Sequence, residues 1–174
     1  DRLSNIPYFD YNIWTDSGAI KPGSVAFGVL LEEICHALGV DVYYEGTKNP
    51  RKLELNSQKY SVTSYNGVDG MSVEPQSIPF SLEYVSPTGL QIYDILALQT
   101  IYGINYETRN DNTVYSRGLG FGDSLYTSVP FIYTIWDGGG IDKIDVIHYE
   151  NGVKLDLRQG QFSSIGVALD EDYD

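Results

Sequence analysis

The stretch SVAFGVLLEEICHALG, residues 24–39, constrains this chain more than any other. Val25, Leu30, Leu31, Ile34, Ala37 and Leu38 recur at steps of three and four, which predicts one amphipathic helix over about 24–38. Pro22 and Gly23 break the chain before it, and the Ser24 hydroxyl can accept from an orphan N–H of the first turn. Gly39 stands where a left-handed residue closes a helix. Glu32 and His36 are four apart, and Glu33 and His36 three apart, so the three side chains share one turn of the surface.

The rest of the chain reads as α+β. At 174 residues it is one domain, or one and a part, with enough length to bury a core. Tyr11 to Trp14 is a short strand candidate before the helix. After it, Asp41 to Ser57 is a loop marked by Gly46 and Asn49-Pro50. Asn66-Gly67 and Asp69-Gly70 are turn signals. Ser86-Pro87-Thr88 opens a second helix, over about 89–102, which Gly103 ends. Asp94 is the polar residue inside it. It either anchors a turn by accepting backbone hydrogen bonds or faces solvent. Thr113–Tyr115, Phe131–Trp136, Lys143–Ile147 and Val153–Leu157 are strand candidates, and fifteen tyrosines with eighteen glycines agree with many strands and turns.

A net charge of −13 disfavours nucleic acid as a partner, because phosphates are repelled; it favours solubility and a hard cation such as calcium. Cys35 is the single cysteine, so no disulfide forms within the chain, and its place in the helix reads as a small buried hydrophobe. No apolar run approaches the roughly 20 residues of a membrane helix, so no membrane partner is expected. Without an initiator Met or a signal peptide, the sequence reads as a processed, excised or engineered piece.

The helix at 24–39 resembles the zinc helix of the serralysin-type metzincin proteases, H-E-x-x-H-x-x-G-x-x-H. Glu33, His36 and Gly39 match its Glu, second His and Gly, while Glu32 and Val42 stand in place of the other two His. Ser61-Val62-Thr63-Ser64-Tyr65 resembles the family's methionine turn, with Thr63 for the methionine. Tyr65 then stands where the family has a tyrosine that touches zinc or steadies the oxyanion; the plain alternative is a half-buried aromatic in a turn. IYDILALQTIYG, residues 92–103, resembles the family's D-I-A-A-I-Q-x-L-Y-G helix. The resemblance implies a secreted chain with a truncated metzincin-like part over 1–105 and a β-roll-like, calcium-binding part over 106–174. Of the roll's G-G-x-G-x-D-x-U-x repeat, one approximate copy is visible, Gly138 to Asp145.

The resemblance also implies a calcium site shared by two loops. Arg109, Asp111 and Thr113 match the family's R-x-G-x-T loop, with Asp111 in the glycine position, and Asp137, Gly139 and Asp142 match its W-D-x-G-G-x-D loop. A hard cation takes six to eight oxygens, which carboxylates and turn carbonyls supply. Zinc is not expected: an open catalytic site needs three protein ligands and a Glu to take the proton from water, and here Glu33 remains as the base with one imidazole beside it. An inactive, calcium-stabilised scaffold or binding module with a protein or peptide ligand is therefore the first reading. The alternative is an active metalloendopeptidase with an altered metal site of Glu32, His36 and Tyr65. Self-association is the remaining expectation. The family's N-terminal half would cover Val25, Phe27 and Leu31, and without it their apolar area marks an interface; the alternative is that Asp1 to Ile20, with Tyr8, Phe9, Ile13 and Trp14, folds back and covers the helix.

Overall fold

The computed structural model describes residues 20, 22–40, 55–64, 66–67, 86–116, 132–150 and 152–166. The Tyr11–Trp14 strand, Val42, Tyr65 and the acidic tail from Asp170 lie outside the described residues. The chain divides into two compact units. One is Asp1–Ile104 with Asp123–Thr134; the other is Asn105–Gly122 with Ile135–Asp174.

In the first unit, helix α1 spans Val25–Ala37. Its start is the one the sequence predicts: Ser24 is extended, and its hydroxyl accepts from the Phe27 N–H at 3.1 Å. Its end is also as read, with Gly39 at φ +79°, where a side chain would be strained. The Gly39 and Val40 N–H groups then bond back to the His36 and Cys35 carbonyls. Helix α2 spans Ile92–Tyr102 and Gly103 caps it at φ +86°. It begins three residues later than the proline signal suggested. The N–H and hydroxyl of Thr88 both donate to the Ile132 carbonyl, which holds residues 87–90 out of the helix, and Asp94 fixes the start by accepting from the Gln91 N–H at 2.8 Å.

Cys35, Val40 and Val62 form the buried centre of this unit, with Leu31 from α1 and Leu90, Ala97 and Leu98 from and beside α2 packed on it. Cys35 is fully buried, as the sequence reading had it. The Tyr102 hydroxyl donates to the Leu38 carbonyl at 2.9 Å, tying the ends of the two helices together. Leu96, Ile101 and Tyr102 remain exposed, because α2 carries apolar residues around most of its circumference.

In the second unit, β1 (Val114–Ser116) pairs in parallel with β2 (Lys143–Asp145), Tyr115 opposite Ile144. Strands β3 (Val153–Lys154) and β4 (Ser164–Ile165) pair antiparallel. The architecture is α+β with small sheets: β1 has the predicted length but starts one residue later than Thr113, β2 and β3 are shorter than the predicted Lys143–Ile147 and Val153–Leu157, and β4 lies outside every predicted strand. β2 stops where the Asp145 carboxylate accepts the Ile147 N–H, and β3 stops short of Asp156, whose N–H goes to the Ser163 hydroxyl. Of the described residues in the run predicted over Phe131–Trp136, Ile132 alone makes a β-contact, a parallel bridge to Pro87. Its carbonyl is taken by Thr88 and that of Trp136 by Arg109, so the ladder partners are already spent.

Candidate functional site

Three constellations carry polar chemistry. The first is the exposed turn of α1. His36 Nε2 lies 3.6 Å from Glu32 Oε1, the i, i+4 pair that the helix period predicts. Glu33, the position that the resemblance assigns to the base, is exposed. Among the described residues no group of three or more His, Cys, Asp or Glu side chains is placed to hold a metal ion. Behind this face the Cys35 thiol is pushed up to about 12, first by burial and then by the Asp94 and Glu32 carboxylates. At neutral pH it is a thiol and no nucleophile.

The second is the turn at 61–64 and the side chain beneath it. Asp94 is 1% exposed. Its Oδ2 accepts the backbone N–H groups of Val62 at 2.9 Å and Gln91 at 2.8 Å, and its Oδ1 accepts the Ser61 hydroxyl at 2.6 Å. Of the two readings the sequence left open, the anchor holds: Asp94 pins the turn to the start of α2. Burial pushes its carboxyl above the ordinary value; the Ser61 hydroxyl and the Val62 and Gln91 N–H groups pull it down again, and the net direction is upward. The Ser61 and Thr63 hydroxyls are 2.7 Å apart, and Ser64 donates to Asn56 Oδ1 at 2.7 Å. A cavity of about 220 Å³ lies beside this network, walled by Val40, Leu55, Tyr93 and Ala97 and edged by Asn56 and the hydroxyls of the turn. The sequence pattern named Asp94 and the turn; the Ser61 hydroxyl and the cavity carried no signal in it.

The third is a pair of loops in the second unit, 106–113 and 136–142. They grip each other through main chain and through the Arg109 side chain. The Gly138 N–H donates to the Thr108 carbonyl at 2.7 Å, and Arg109 Nη1 donates to the Trp136 carbonyl at 3.2 Å. A Cβ on Gly138 would stand 2.2 Å from the Tyr106 carbonyl oxygen, so only glycine lets the strands of chain approach this closely. Gly140, at φ +109°, is held the same way against the Asp111 carbonyl. Arg109 itself is at φ +50°, an uncommon place for a residue with a side chain.

Both predicted carboxylates of the second loop point into this seam. Asp142 Oδ1 accepts the Thr113 N–H at 2.9 Å. Asp137 Oδ1 accepts the Gly139 N–H at 2.9 Å, and its Oδ2 accepts the Tyr115 hydroxyl at 2.5 Å. The Thr113 hydroxyl donates to the Asp111 carbonyl at 3.1 Å. Arg109, Thr113, Asp137, Gly139, Asp142 and the Asp111 main chain are thus brought to one seam, while among the described residues the Asp111 side chain has no hydrogen-bond partner there. Two participants were missed by sequence reading. Asn112 accepts the Ile141 N–H through its side chain at 2.8 Å, and Tyr115 holds Asp137. The predicted strand over Thr113–Tyr115 contains Tyr115 but marks no partner for its hydroxyl; Asn112 looks like any turn asparagine.

Comparison with known proteins places these elements in a sequence context. Residues 104–171 match the family model described as Peptidase M10 serralysin C terminal. Serralysin B of Dickeya chrysanthemi is 30% identical over 181 residues, covering 94% of this chain and 35% of the relative. Metalloprotease AprA of Pseudomonas entomophila (strain L48) is 30% identical over 158 residues, covering 83% of this chain and 32% of the relative. Serralysin G of Dickeya chrysanthemi is 37% identical over 78 residues, which is 42% of this chain and 16% of the relative. The chain thus spans about a third of the length of the longer-matching relatives. No helix among the described residues is long and apolar enough to cross a membrane.

Proposed function

We propose that this chain, a relative of the serralysin metalloproteases across most of its length, is a calcium-stabilised scaffold or binding module whose zinc site is degraded and which has no peptidase activity. The observation that carries the reading is the interlocked pair of loops. Two carboxylates, Asp137 and Asp142, share a seam with the Arg109 side chain and the main chain of Asp111, Thr113 and Gly139. An all-oxygen donor set of carboxylates and turn carbonyls suits a hard cation and suits zinc poorly. With two carboxylates at the seam, calcium would draw its remaining ligands from carbonyls and water. Bound there, it would supply a charge that holds the two loops together, and a ligand for the folded state alone stabilises it by mass action.

The degraded zinc site is supported from the other end of the chain. Where the zinc helix pattern calls for an imidazole at i, i+4 from His36, this chain places the Glu32 carboxylate, 3.6 Å from His36 Nε2. Catalytic zinc takes three protein ligands and an open position, and Val42 offers no ligand at the third. A protein or peptide ligand and secretion belong to the same reading, drawn from the resemblance, and self-association joins it through apolar residues of α1 such as Phe27 and Leu31. One experiment tests the core of it: metal analysis of the purified chain, followed by calorimetric titration with zinc and with calcium, each with a chelator control. Calcium binding with no zinc binding and no casein hydrolysis above background is expected. Micromolar or tighter zinc binding refutes the zinc half, and a melting curve unchanged by EGTA refutes the calcium half.

A second reading has one observation in its favour. Glu32 and His36 are close enough to chelate one ion, so an active metalloendopeptidase with Glu32, His36 and Tyr65 as ligands and Glu33 as base is chemically coherent. The zinc titration separates it from the first.

A further inference from the structure

We infer that Asp94 is a proton-binding site, with both protonation states accommodated by a reversible relay of the Ser61 and Thr63 hydroxyls that ends at the adjacent cavity. The two carboxyl oxygens have different kinds of partner. Oδ2 takes two backbone N–H groups, from Val62 and Gln91, and these can only donate. Oδ1 has one partner, the Ser61 hydroxyl at 2.6 Å, which can donate or accept. A proton on Oδ1 therefore breaks nothing. The carboxyl keeps Oδ2 as a carbonyl-like acceptor for both N–H groups and donates through Oδ1 to Ser61 Oγ.

The consequence passes along the chain of hydroxyls. Ser61 Oγ also accepts the Thr63 N–H at 3.2 Å and shares a hydrogen with Thr63 Oγ1 at 2.7 Å, where either atom can be the donor. With Asp94 ionised, Thr63 donates to Ser61 and Ser61 donates to Asp94. With Asp94 protonated, both directions reverse, and the Thr63 hydroxyl hydrogen needs a new acceptor. Thr63 is buried but lines the 220 Å³ cavity, which has room for water and further oxygens at Asn56 and Ser64. The relay thus has an exit at the one place where it needs one.

The electrostatic surroundings favour the acid form. Burial raises the carboxyl above its ordinary value. Among the groups near Asp94, α1 presents the Cys35 thiol, which the Glu32 carboxylate also acts on, and neither can carry a positive charge. The turn at 61–64 carries no ionisable side chain. Tyr93 shares the cavity wall, its ring stacked on Tyr60 at 5.4 Å, and the Lys59 ammonium lies beyond Tyr60, 5.9 Å from that ring's centre. None of these is a salt-bridge partner for Asp94.

The test uses the intact chain labelled with ¹³C and ¹⁵N, following the Asp94 Cγ signal against pH together with exchange of the Val62 and Gln91 amides. The expected result is a midpoint above the ordinary carboxylate value of about 3.9, with both amides equally protected on either side of it. A midpoint at or below that value overturns the proton site. Loss of amide protection on protonation overturns the relay, because the turn would then be released. A second arm compares stability with Asp94→Asn, which keeps an acceptor for both N–H groups. A raised folded-state value makes the acid form's stabilisation fully present below the unfolded pKa and lost as pH rises through the folded midpoint. The variant should therefore gain on the wild type as pH rises through that window. A difference constant with pH counts against the proposal, and if the variant fails to fold, the labelled wild type decides alone.

Discussion

Replacing Gly138 by Ala tests whether the two loops of the second unit must interlock. The added Cβ would lie 2.2 Å from the Tyr106 carbonyl oxygen and 2.8 Å from that of Thr108. Both are backbone atoms, so no rotamer change relieves the contact, and the loops must part by roughly 1 Å to restore ordinary contact. Overpacking of this kind costs about 1–3 kcal/mol. The same displacement breaks the 2.7 Å bond from the Gly138 N–H to Thr108, worth about 0.5–1.5 kcal/mol more. A loss of about 1.5–4.5 kcal/mol follows for the second unit. The sharper expectation concerns calcium. Asp137 and Asp142 are both retained in Gly138→Ala, yet the seam that gathers them with the Arg109 side chain and the Asp111 and Thr113 main chain is opened. If calcium at about a hundred times its Kd gives the wild type roughly 2.7 kcal/mol by mass action, its Tm rises by about 5–11 °C for a chain of this size. Thermal melts with calcium and with EGTA should show that rise reduced to near zero in the variant. A Gly138→Ala protein with the full calcium-induced rise would refute the argument, because the carboxylates would then suffice without the interlock.

Other expected outcomes are simpler. Asp142→Ala and Asp137→Ala should each abolish most of the calcium-induced increase in Tm, measured by the same melts. Asp94→Ala leaves the buried N–H groups of Val62 and Gln91 and the Ser61 hydroxyl without their acceptor; at about 1–3 kcal/mol per orphaned group, partly recovered by water in the cavity, a loss of about 3–5 kcal/mol is expected in urea unfolding, and a cost under 0.5 kcal/mol would contradict the anchor. Cys35, its thiol pushed up to about 12 and fully buried, should resist iodoacetamide in the native chain at pH 8 and react at once in denaturant, as read by intact mass. Replacing Glu32 and Val42 together by His should raise zinc affinity measured by calorimetry, and no gain would count against a metzincin-like backbone around α1. Light scattering over a concentration series should show association growing with concentration, and a strictly monomeric mass with no loss of stability on dilution would count against it.

The ends of α1 were legible because a cap is local chemistry: Ser24 and Gly39 announce themselves by residue type, and the distances from Ser24 to Phe27 and from Gly39 to His36 follow from the helix period. The start of α2 was less so. Pro87 is a helix-start signal only when its backbone is free to enter the helix, and here it bridges to Ile132, forty-five positions away, which no local pattern records. The turn at 61–64 and Asp94 were recognisable as parts; that Asp94 holds Ser61, Val62 and Gln91 at once was not. The two loops show the same limit. Asp137 and Asp142 could be named from their spacing, but the seam is built largely of backbone N–H and carbonyl groups, which every residue carries and no sequence distinguishes.

The second unit is discontinuous along the chain. After Ser116 the polypeptide supplies Ile132 and Thr134 to the first unit, where Ile132 meets Thr88 and Thr134 meets Gln91, before it resumes with Trp136 in the loop seam. Neither unit can therefore be excised with one cut. A fragment beginning at 106 would carry Ile132 and Thr134 as orphans, and its complement ending at 105 would leave the Thr88 hydroxyl and the Gln91 amide oxygen, both buried at the start of α2, with nothing from that segment to bond. Attempts to express the halves separately should yield two destabilised products, and mixing them should restore what each lacks, so that complementation between fragments becomes a measure of how much of each unit's stability resides in a dozen residues lent by its neighbour in sequence.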